Sequence, residues 1–230
     1  MPSLSIIVPV LDEAARIGAA LAALAPFRAR GAEVIVADGG SSDRTVAIAR
    51  PLADRVIGAP RGRGAQMNAG AAAATGDVLL FLHADTSLPP EADSLVLAGM
   101  REEAWQWGRF DVRIEGRSPL LAVVSSLMNW RSLITGIATG DQAMFVTRAA
   151  FDRVGGFADI PLMEDVALSK RLKRVSRPLC LAARVVASGR RFDERGTVRM
   201  IVLMWRLRLA YFLGAEPAAL ARRYGYIPRN

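Results

Sequence analysis

Residues 78–85 read VLLFLHAD. The five apolar residues from Val78 to Leu82 make a run too short for an ordinary helix and suited to a strand covered on both faces. The run stops at His83, Ala84 and Asp85, a polar cluster at the strand's carboxyl end, and His83 is the only histidine in the chain. In open α/β sheets that end is where ligands bind. Taken alone, the stretch describes a core strand entering a polar loop.

Two earlier runs have the same form. Leu4–Val10 (LSIIVPV) reads as a buried strand, followed by a helix over Glu13–Leu24 with Ile17, Leu21 and Leu24 on one face. Glu33–Ala37 (EVIVA) is a second strand, ending at Asp38, after which Ser42 reads as the N-cap of a helix through Arg50 with Asp43 in its first turn. Arg55–Ile57 is a short third strand, and Ala65–Thr75 an alanine-rich helix closed by Gly76. Strands alternating with helices describe a parallel sheet in a three-layer α/β domain.

The second half changes character. Trp107–Ile114 alternates like a half-exposed strand, and Pro119–Ile134 is a mostly apolar helix. Gln142–Thr147 reads as a strand, Gly155, Gly156 and Phe157 as a turn, Val166–Val175 as a basic helix and Leu179–Ser188 as extended chain. Val198–Leu213 is a long apolar helix carrying Arg199, Arg206 and Arg208, expected to dock on the sheet, with a membrane-surface or dimer helix as the alternative. No repeat or low-complexity linker interrupts the 230 residues, so a single domain is expected: a nucleotide-binding half over 4–85, a half over 86–192 that meets it, and a helical extension over 193–230.

Composition narrows the classes. With 52% hydrophobic residues the chain can bury a sizeable core, yet no apolar run reaches the roughly 18 residues of a membrane span. The segment MPSLSIIVPVLDE lacks the charged start of a signal peptide, and the single cysteine, Cys180, excludes an internal disulfide. A cytoplasmic protein is expected, at most associated with the inner face of the membrane. The net charge of +8 is almost all arginine, with Lys170 and Lys173 the only lysines. The arginines form no block and have little aromatic interleaving, which argues against a nucleic-acid partner and leaves phosphorylated substrates or anionic lipid.

Four loops carry candidate chemistry. Pro9 ends ladder pairing after the first strand, and the loop continues through Val10, Leu11, Asp12 and Glu13; a helix cap would by itself explain Asp12. Asp38, Gly39, Gly40, Ser41, Ser42 and Asp43 put an acid at a strand end, two glycines for close backbone approach, and hydroxyls at a helix start. This is not GxGxxG, so the dinucleotide fingerprint is missing where it belongs. Arg61, Gly62, Arg63 and Gly64 read as a diphosphate clamp or a solvated basic loop. Asn68 and Gly70 follow on a helix, where glycine costs roughly 1 kcal/mol relative to alanine and so implies close packing. Asp85 is a single carboxylate of the kind that, beside phosphates, recruits Mg²⁺ or Mn²⁺.

In order and spacing these loops, with Gly76 and Asp77, resemble the nucleotide-sugar half of family-two GT-A glycosyltransferases. Gly140, Asp141 and Gln142 before a strand, the Gly155-Gly156-Phe157 turn, and Glu164, Asp165, Val166, Ala167 and Leu168 resemble that family's acceptor half with its acidic pair, so the likeness covers most of 4–192. Within the family the chain looks most like the small stand-alone bacterial members, the radical-SAM/selenodomain-associated or arsenosugar-biosynthesis type. The resemblance implies a three-layer, Rossmann-like GT-A fold with a mostly parallel sheet. It implies metal-dependent, inverting transfer of one sugar from a nucleotide-diphosphate donor, a UDP-sugar favoured, to a hydroxyl of a small-molecule or lipid-linked acceptor.

Residue by residue, the resemblance has Asp38 accept from the base, with Pro9, Val10, Asp12, Glu13, Gly39, Ser41, Asn68, His83 and Ala84 completing the nucleotide site. Arg61 would face the diphosphate or base edge. Asp85, with His83, would hold Mg²⁺ or Mn²⁺, and Asp165 would take the acceptor's proton, with Glu164 as the other candidate base or an orienting group. Gly140 and Asp141 would position donor sugar or acceptor. Two departures stand out. His83 occupies the place of the first acid of the usual D-x-D. Ser188, Gly189, Arg190, Arg191 and Phe192 stand where processive members carry Q-x-x-R-W, so processive synthesis is not expected; Arg190 or Arg191 could neutralise the leaving diphosphate or form surface ion pairs. Trp105 and Trp107 could stack on a sugar, although core packing is the more common fate. Met200–Leu213 could touch a membrane. A sugar-nucleotide nucleotidyltransferase shares a similar sheet but expects a glycine-rich, arginine-bearing loop where Pro9–Glu13 stands. A non-catalytic binding protein would not need Asp38, Asp85, Glu164 and Asp165 together.

Overall fold

The apolar runs become neighbouring strands. The computed structural model describes residues 2–226. In it β1 (Leu4–Val10), β2 (Glu33–Asp38), β3 (Arg55–Gly58) and β4 (Val78–Phe81) run parallel in the order β3-β2-β1-β4. Helices α1 (Ile17–Ala22), α2 (Ala25–Ala29), α3 (Thr45–Ala49) and α4 (Arg63–Ala73) connect them. Alternate β1 side chains serve opposite faces. Ile6 and Val8 pack with Ile17, Leu21 and Phe27 on one side, and Ile7 packs with Met67 and Ala71 of α4 on the other. Both faces are covered, which is why these strands read as continuous apolar runs.

Past β4 come β5 (Thr86–Ser87), α5 (Ala92–Gly99), β6 (Trp107–Glu115), α6 (Leu120–Thr135), β7 (Phe145–Thr147), α7 (Arg148–Arg153), α8 (Glu164–Leu172) and β8 (Leu179–Ser188). The sheet continues β4-β7-β6-β8-β5, with β7 antiparallel to both β4 and β6, β8 parallel to β6, and β5 antiparallel to β8. The result is a mostly parallel three-layer α/β fold, as expected.

Three local expectations change. The helix expected over Glu13–Leu24 is shorter, with α1 covering only Ile17–Ala22. Pro26 in the first turn of α2 cannot extend α1, and the N–H groups of Glu13 and Ala14 are taken by Thr45 Oγ1 (2.7 Å) and Asp43 Oδ2 (3.0 Å). Ser42 is not an N-cap: α3 starts at Thr45, whose N–H donates to Asp43 Oδ1 at 2.8 Å. Strand β6 is half-exposed only from Asp111 on, where buried Val112 and Ile114 alternate with exposed Arg113 and Glu115; its first four residues, Trp107–Phe110, are all buried inside the sheet. Trp107 is wholly buried, its Nε1 donating to the Ser176 carbonyl, and Arg109 is only 2% exposed. The Arg109 guanidinium is paired with Asp111 and donates to Ser132 Oγ and the Asn129 carbonyl, which is what allows its burial.

Strand β7 covers only Trp107 and Gly108 of β6, and helix α6 takes over beyond them. Asn129 Oδ1 accepts from Val112 N at 2.8 Å, its Nδ2 donates to Val112 O at 3.0 Å, and Ser125 Oγ accepts from Ile114 N at 2.9 Å. The inward face of α6 is therefore partly polar, acting as a substitute strand edge. The chain then ends in α9 (Arg190–Arg195), α10 (Thr197–Phe212) and α11 (Pro217–Tyr224). Leu207 of α10 and Leu220 of α11 pack with Met163 and Val166 at the start of α8, so α10 docks on the mouth of the sheet's second half and not flat on the sheet.

Replacing Asn129 with alanine strands both backbone groups of Val112. N129A is expected to lower the unfolding free energy by about 2 kcal/mol in urea melts. It should also speed deuterium exchange at the Val112 amide while leaving the β1 amides protected.

Candidate active site

The carboxyl ends of β1 and β4 meet the start of α8 and a short 3₁₀ turn, Gly140–Gln142, around a cavity of about 650 Å³. Antiparallel pairing of β7 with β4 places that turn, just before β7, beside His83. Pro9, Glu13, His83, Ala84, Asp85, Gly140, Asp141, Glu164, Asp165 and Arg191 line the cavity. The sequence had marked each of them.

The first two loops are stitched together. Asp12, with φ of 53°, accepts from Ser42 N at 2.7 Å, and Asp12 N donates to Ser41 Oγ at 2.9 Å. The Asp38 carboxylate is folded into its own loop, accepting from Gly40 N at 3.0 Å, from Ser41 N and from the Ser41 hydroxyl. Gln66, which the sequence reading passed over, clips the strand ends: its Nε2 donates to Val10 O (2.7 Å) and Ala37 O (2.9 Å). A Cβ at Gly39 would sit 2.9 Å from that amide. Val10, Asp12, Asp38, Gly39 and Ser41 thus shape the rim and do not line the cavity itself.

Arg61 and Asn68 are also off the cavity wall. Arg61 is exposed, while the next arginine, Arg63, one residue into α4 after Gly62 (φ 132°), lines it. Asn68 spends its amide on the backbone of one residue, accepting from Phe157 N at 2.8 Å and donating to Phe157 O at 2.9 Å. It straps α4 to the glycine turn, where Gly156 (φ +64°) would place a Cβ 2.7 Å from Asn68 Oδ1. That is a structural duty the sequence did not indicate. Arg190 pairs with Glu194 at 3.2 Å on the surface, whereas Arg191 reaches the cavity and donates to Tyr224 Oη at 2.8 Å. Neither tryptophan candidate lines the cavity: Trp107 is core, and Trp105 Nε1 donates to Glu102 at 3.2 Å.

His83 is held by the 3₁₀ turn. Its Nδ1 lies 3.4 Å from Asp141 Oδ1, and its Nε2 is closed to solvent with no partner, 2.6 Å from where a Gly140 Cβ would stand. Only glycine fits at 140, and a cation could reach Nε2 only if that turn moved. This geometry argues against His83 as a metal ligand and makes it a brace for Asp141. Burial opposes ionisation of Asp141, but the contact with His83 and the charges of His83, Arg63 and Arg208 prevail and bring it down to about 2.

Asp85 differs from the other acids. It sits on a turn after β4, half-buried at the cavity, and its carboxylate accepts no hydrogen bond among the described residues. No group of three or more His, Cys, Asp or Glu side chains is placed to hold an ion among the described residues. A site built on Asp85 therefore fits Mg²⁺ or Mn²⁺, which keep several waters and share phosphate oxygens, and not a metal that needs an all-protein cage.

The acid pair opens α8 behind Met163, a buried residue with φ of 70° that turns the chain inward. Asp165 Oδ2 accepts from Gly140 N at 2.8 Å and Oδ1 from its neighbour Val166 N at 2.7 Å. Glu164 is 3% exposed and lies 3.7 Å from Arg63 Nη1. Burial and the adjacent Asp165 charge push the Glu164 carboxyl up to about 6, with Arg63 opposing.

Residues 5–146 match the family model for Glycosyl transferase family 2. The chain belongs to that family. Among family relatives, a PGL/p-HBAD biosynthesis glycosyltransferase of Mycobacterium bovis is 42% identical over 101 residues, covering 41% of this chain and 39% of the relative. A Mycobacterium tuberculosis protein of the same description matches to the same extent. The match thus spans about two fifths of these relatives' length. The fold is similar to that of a mannosyltransferase from Pyrobaculum calidifontis in complex with GDP-Man and Mn²⁺ (TM-score 0.67, 21% identity, 99% of this chain and 66% of that one). It is also similar to S. aureus TarS in complex with UDP-GlcNAc (TM-score 0.65, 21% identity, 81% of this chain and 58% of that one). Glucosyl-3-phosphoglycerate synthase from Mycobacterium tuberculosis, in complex with Mn²⁺, UDP and glucosyl-3-phosphoglycerate, gives a TM-score of 0.63 at 19% identity, over 100% of this chain and 82% of that one. At these identities the likeness is one of fold.

A carboxyl raised from its ordinary 4.5 to about 6 binds its proton more tightly folded than unfolded, so its ionisation costs stability as pH rises through 6. E164Q removes that cost. It is expected to stabilise the protein by about 1–2 kcal/mol at pH near 7.5 and by almost nothing at pH near 4.5, read as paired thermal melts.

Proposed function

We propose that this family member is a metal-dependent, inverting glycosyltransferase that moves one sugar from a nucleotide-diphosphate donor to an acceptor hydroxyl, with a UDP-sugar favoured. The observation that carries the reading is the division of labour among the cavity's carboxylates. Asp85 is unpartnered and open, Asp141 is braced by His83, Glu164 is buried against Arg63, and Asp165 is held by two N–H groups with lone pairs to spare. A divalent cation on Asp85 would supply Lewis-acid stabilisation of the diphosphate.

The chain's own residues do the rest. Asp165 takes the proton from the acceptor hydroxyl as its oxygen forms a bond to the anomeric carbon. The bond from that carbon to the diphosphate oxygen breaks on the opposite side, and the electron pair leaves with the nucleotide. Asp165 suits the base better than Glu164, because fixed N–H groups orient both its oxygens and it is the less buried of the two. Arg63 and Arg191 line the cavity where negative charge collects on the leaving group. The nucleotides named for similar folds, UDP-GlcNAc in TarS and UDP with Mn²⁺ in the synthase, support the donor class. A nucleotidyltransferase needs free N–H groups in the first loop to cradle phosphates. Here those of Asp12, Glu13 and Ala14 are all taken, which counts against that reading. We place the chain with the small stand-alone bacterial members on sequence likeness alone.

Thermal melts with UDP, GDP, CDP and TDP, each with and without Mn²⁺, test the donor site. UDP with Mn²⁺ is expected to give the largest rise, several degrees at saturating ligand. D85A should abolish the Mn²⁺-dependent part, and survival of that part would remove Asp85 from the cation site. D165N should keep the melt shift and lower turnover of UDP-sugar by a factor on the order of 10² or more. Retained turnover would move the base to Glu164.

A further inference from the structure

The outer wall of the cavity is apolar and runs out onto the surface. Val123, Leu127 and Trp130 of α6 line the cavity and are 55%, 46% and 63% exposed, and Trp205 of α10 lines it at 64%. The strip continues along α10 through Val202, Leu209 and Phe212, all at least half exposed. On α6 the inner face mixes buried Leu121 and Met128 with Ser125, Asn129 and Ser132, which serve β6, while Leu120, Val123, Leu127, Trp130, Leu133 and Ile134 are left exposed, more apolar surface than an ordinary surface helix shows. An exposed apolar face of this extent marks a surface that something covers.

Charge indicates what covers it. Across their 32 residues α6 and α10 hold four arginines, Arg131, Arg199, Arg206 and Arg208, and no acid. Arg199, Val202, Arg206 and Leu209 follow one another at spacings of three and four, so exposed arginines and apolar side chains share one side of α10. Two copies of this face packed together would set arginines against arginines, which disfavours a symmetric dimer. Tryptophans and arginines bordering an aliphatic strip suit the headgroup region of an anionic bilayer. Inside the cavity mouth, Arg131 has Nε and Nη2 buried without partners, close to Arg208, a deficit that an anionic headgroup would fill. No helix among the described residues is long and apolar enough to cross a membrane, so the contact is peripheral.

We propose that the α6–α10 face seats on an anionic membrane, so that the cavity opens onto the bilayer and draws a lipid acceptor from it. Only the acceptor clause rests on the transferase reading; the membrane contact does not. The 230-residue chain should float with vesicles of phosphatidylcholine containing a quarter phosphatidylglycerol and stay behind with phosphatidylcholine alone. The double variant L209E/F212E should weaken flotation at least about tenfold. R199E/R206E should weaken it on the anionic vesicles. Both variants change exposed residues, and an unchanged UDP melt shift would show that the fold and donor site are intact. Failure to float on anionic vesicles, or flotation that survives L209E/F212E, overturns the proposal. So does a dimer in light scattering that L209E/F212E makes monomeric, which would assign the face to a second copy. Flotation without any nucleotide melt shift would remove the transferase reading and leave the membrane surface standing.

Discussion

The pairing of β7 with β4 is the constraint on which the site depends. Parallel strands deliver the loops after β1, β2 and β4 to one end of the sheet. A parallel β7 would have sent its preceding turn to the far end. Because it pairs antiparallel, the turn at Gly140–Gln142 meets the polar end of β4, and His83, Gly140, Asp141 and Asp165 come into one contact group. Gly140 is the tightest point, since its missing side chain is the room that the imidazole occupies. The reversal also explains why β7 needs only three residues. It joins the two halves of the sheet, and α6 satisfies the strand edge that it leaves open.

Much of the fold was legible because buried parallel strands leave a strong mark: LSIIVPV, EVIVA and VLLFL are continuous apolar runs, and each became a strand at nearly its expected bounds. Strand β6 follows its alternation from Asp111 on, where Arg113 and Glu115 face solvent, and departs from it over Trp107–Phe110, where a charged residue is buried. Its Arg109 is buried beside Asp111 and Ser132, partners that come from two residues on and from another helix. The late start of α1 left no local mark, because Glu13 and Ala14 give their N–H groups to Thr45 and Asp43, distant along the chain. The Ser42 cap failed for a subtler reason, since Asp12, far away in sequence, captures that serine.

The candidate site was legible in its acids and obscure in its supports. Motif spacing located Asp85, Asp141, Glu164 and Asp165 at the cavity. It could not distinguish Arg61 from Arg63, because the turn at Gly62, between them at the mouth of α4, decides which guanidinium turns inward. Gln66, Arg131 and Arg208 carry no local signal; they matter only through neighbours distant along the chain. Asp38 and Asn68 have structural partners that motif spacing does not show. Both carry hydrogen-bonding groups in the right loops, and both use them on their own backbone surroundings.

The strap between Asn68 and Phe157 bears on how such proteins can be recombined. It joins residues 89 positions apart, one in each half of the sheet, through both polar atoms of a single amide. A short distance along α4, Gly64 lies so close to the same loop that a Cβ would stand 2.8 Å from the Ala158 carbonyl. The two halves are thus keyed to each other by shape as well as by sequence. A chimera that grafts the second half of another member onto this first half inherits a lock cut for Asn68, Gly64 and Gly156 together. Exchange of second halves between family members must therefore carry all three features across the junction or lose the alignment of the loops that meet at the cavity.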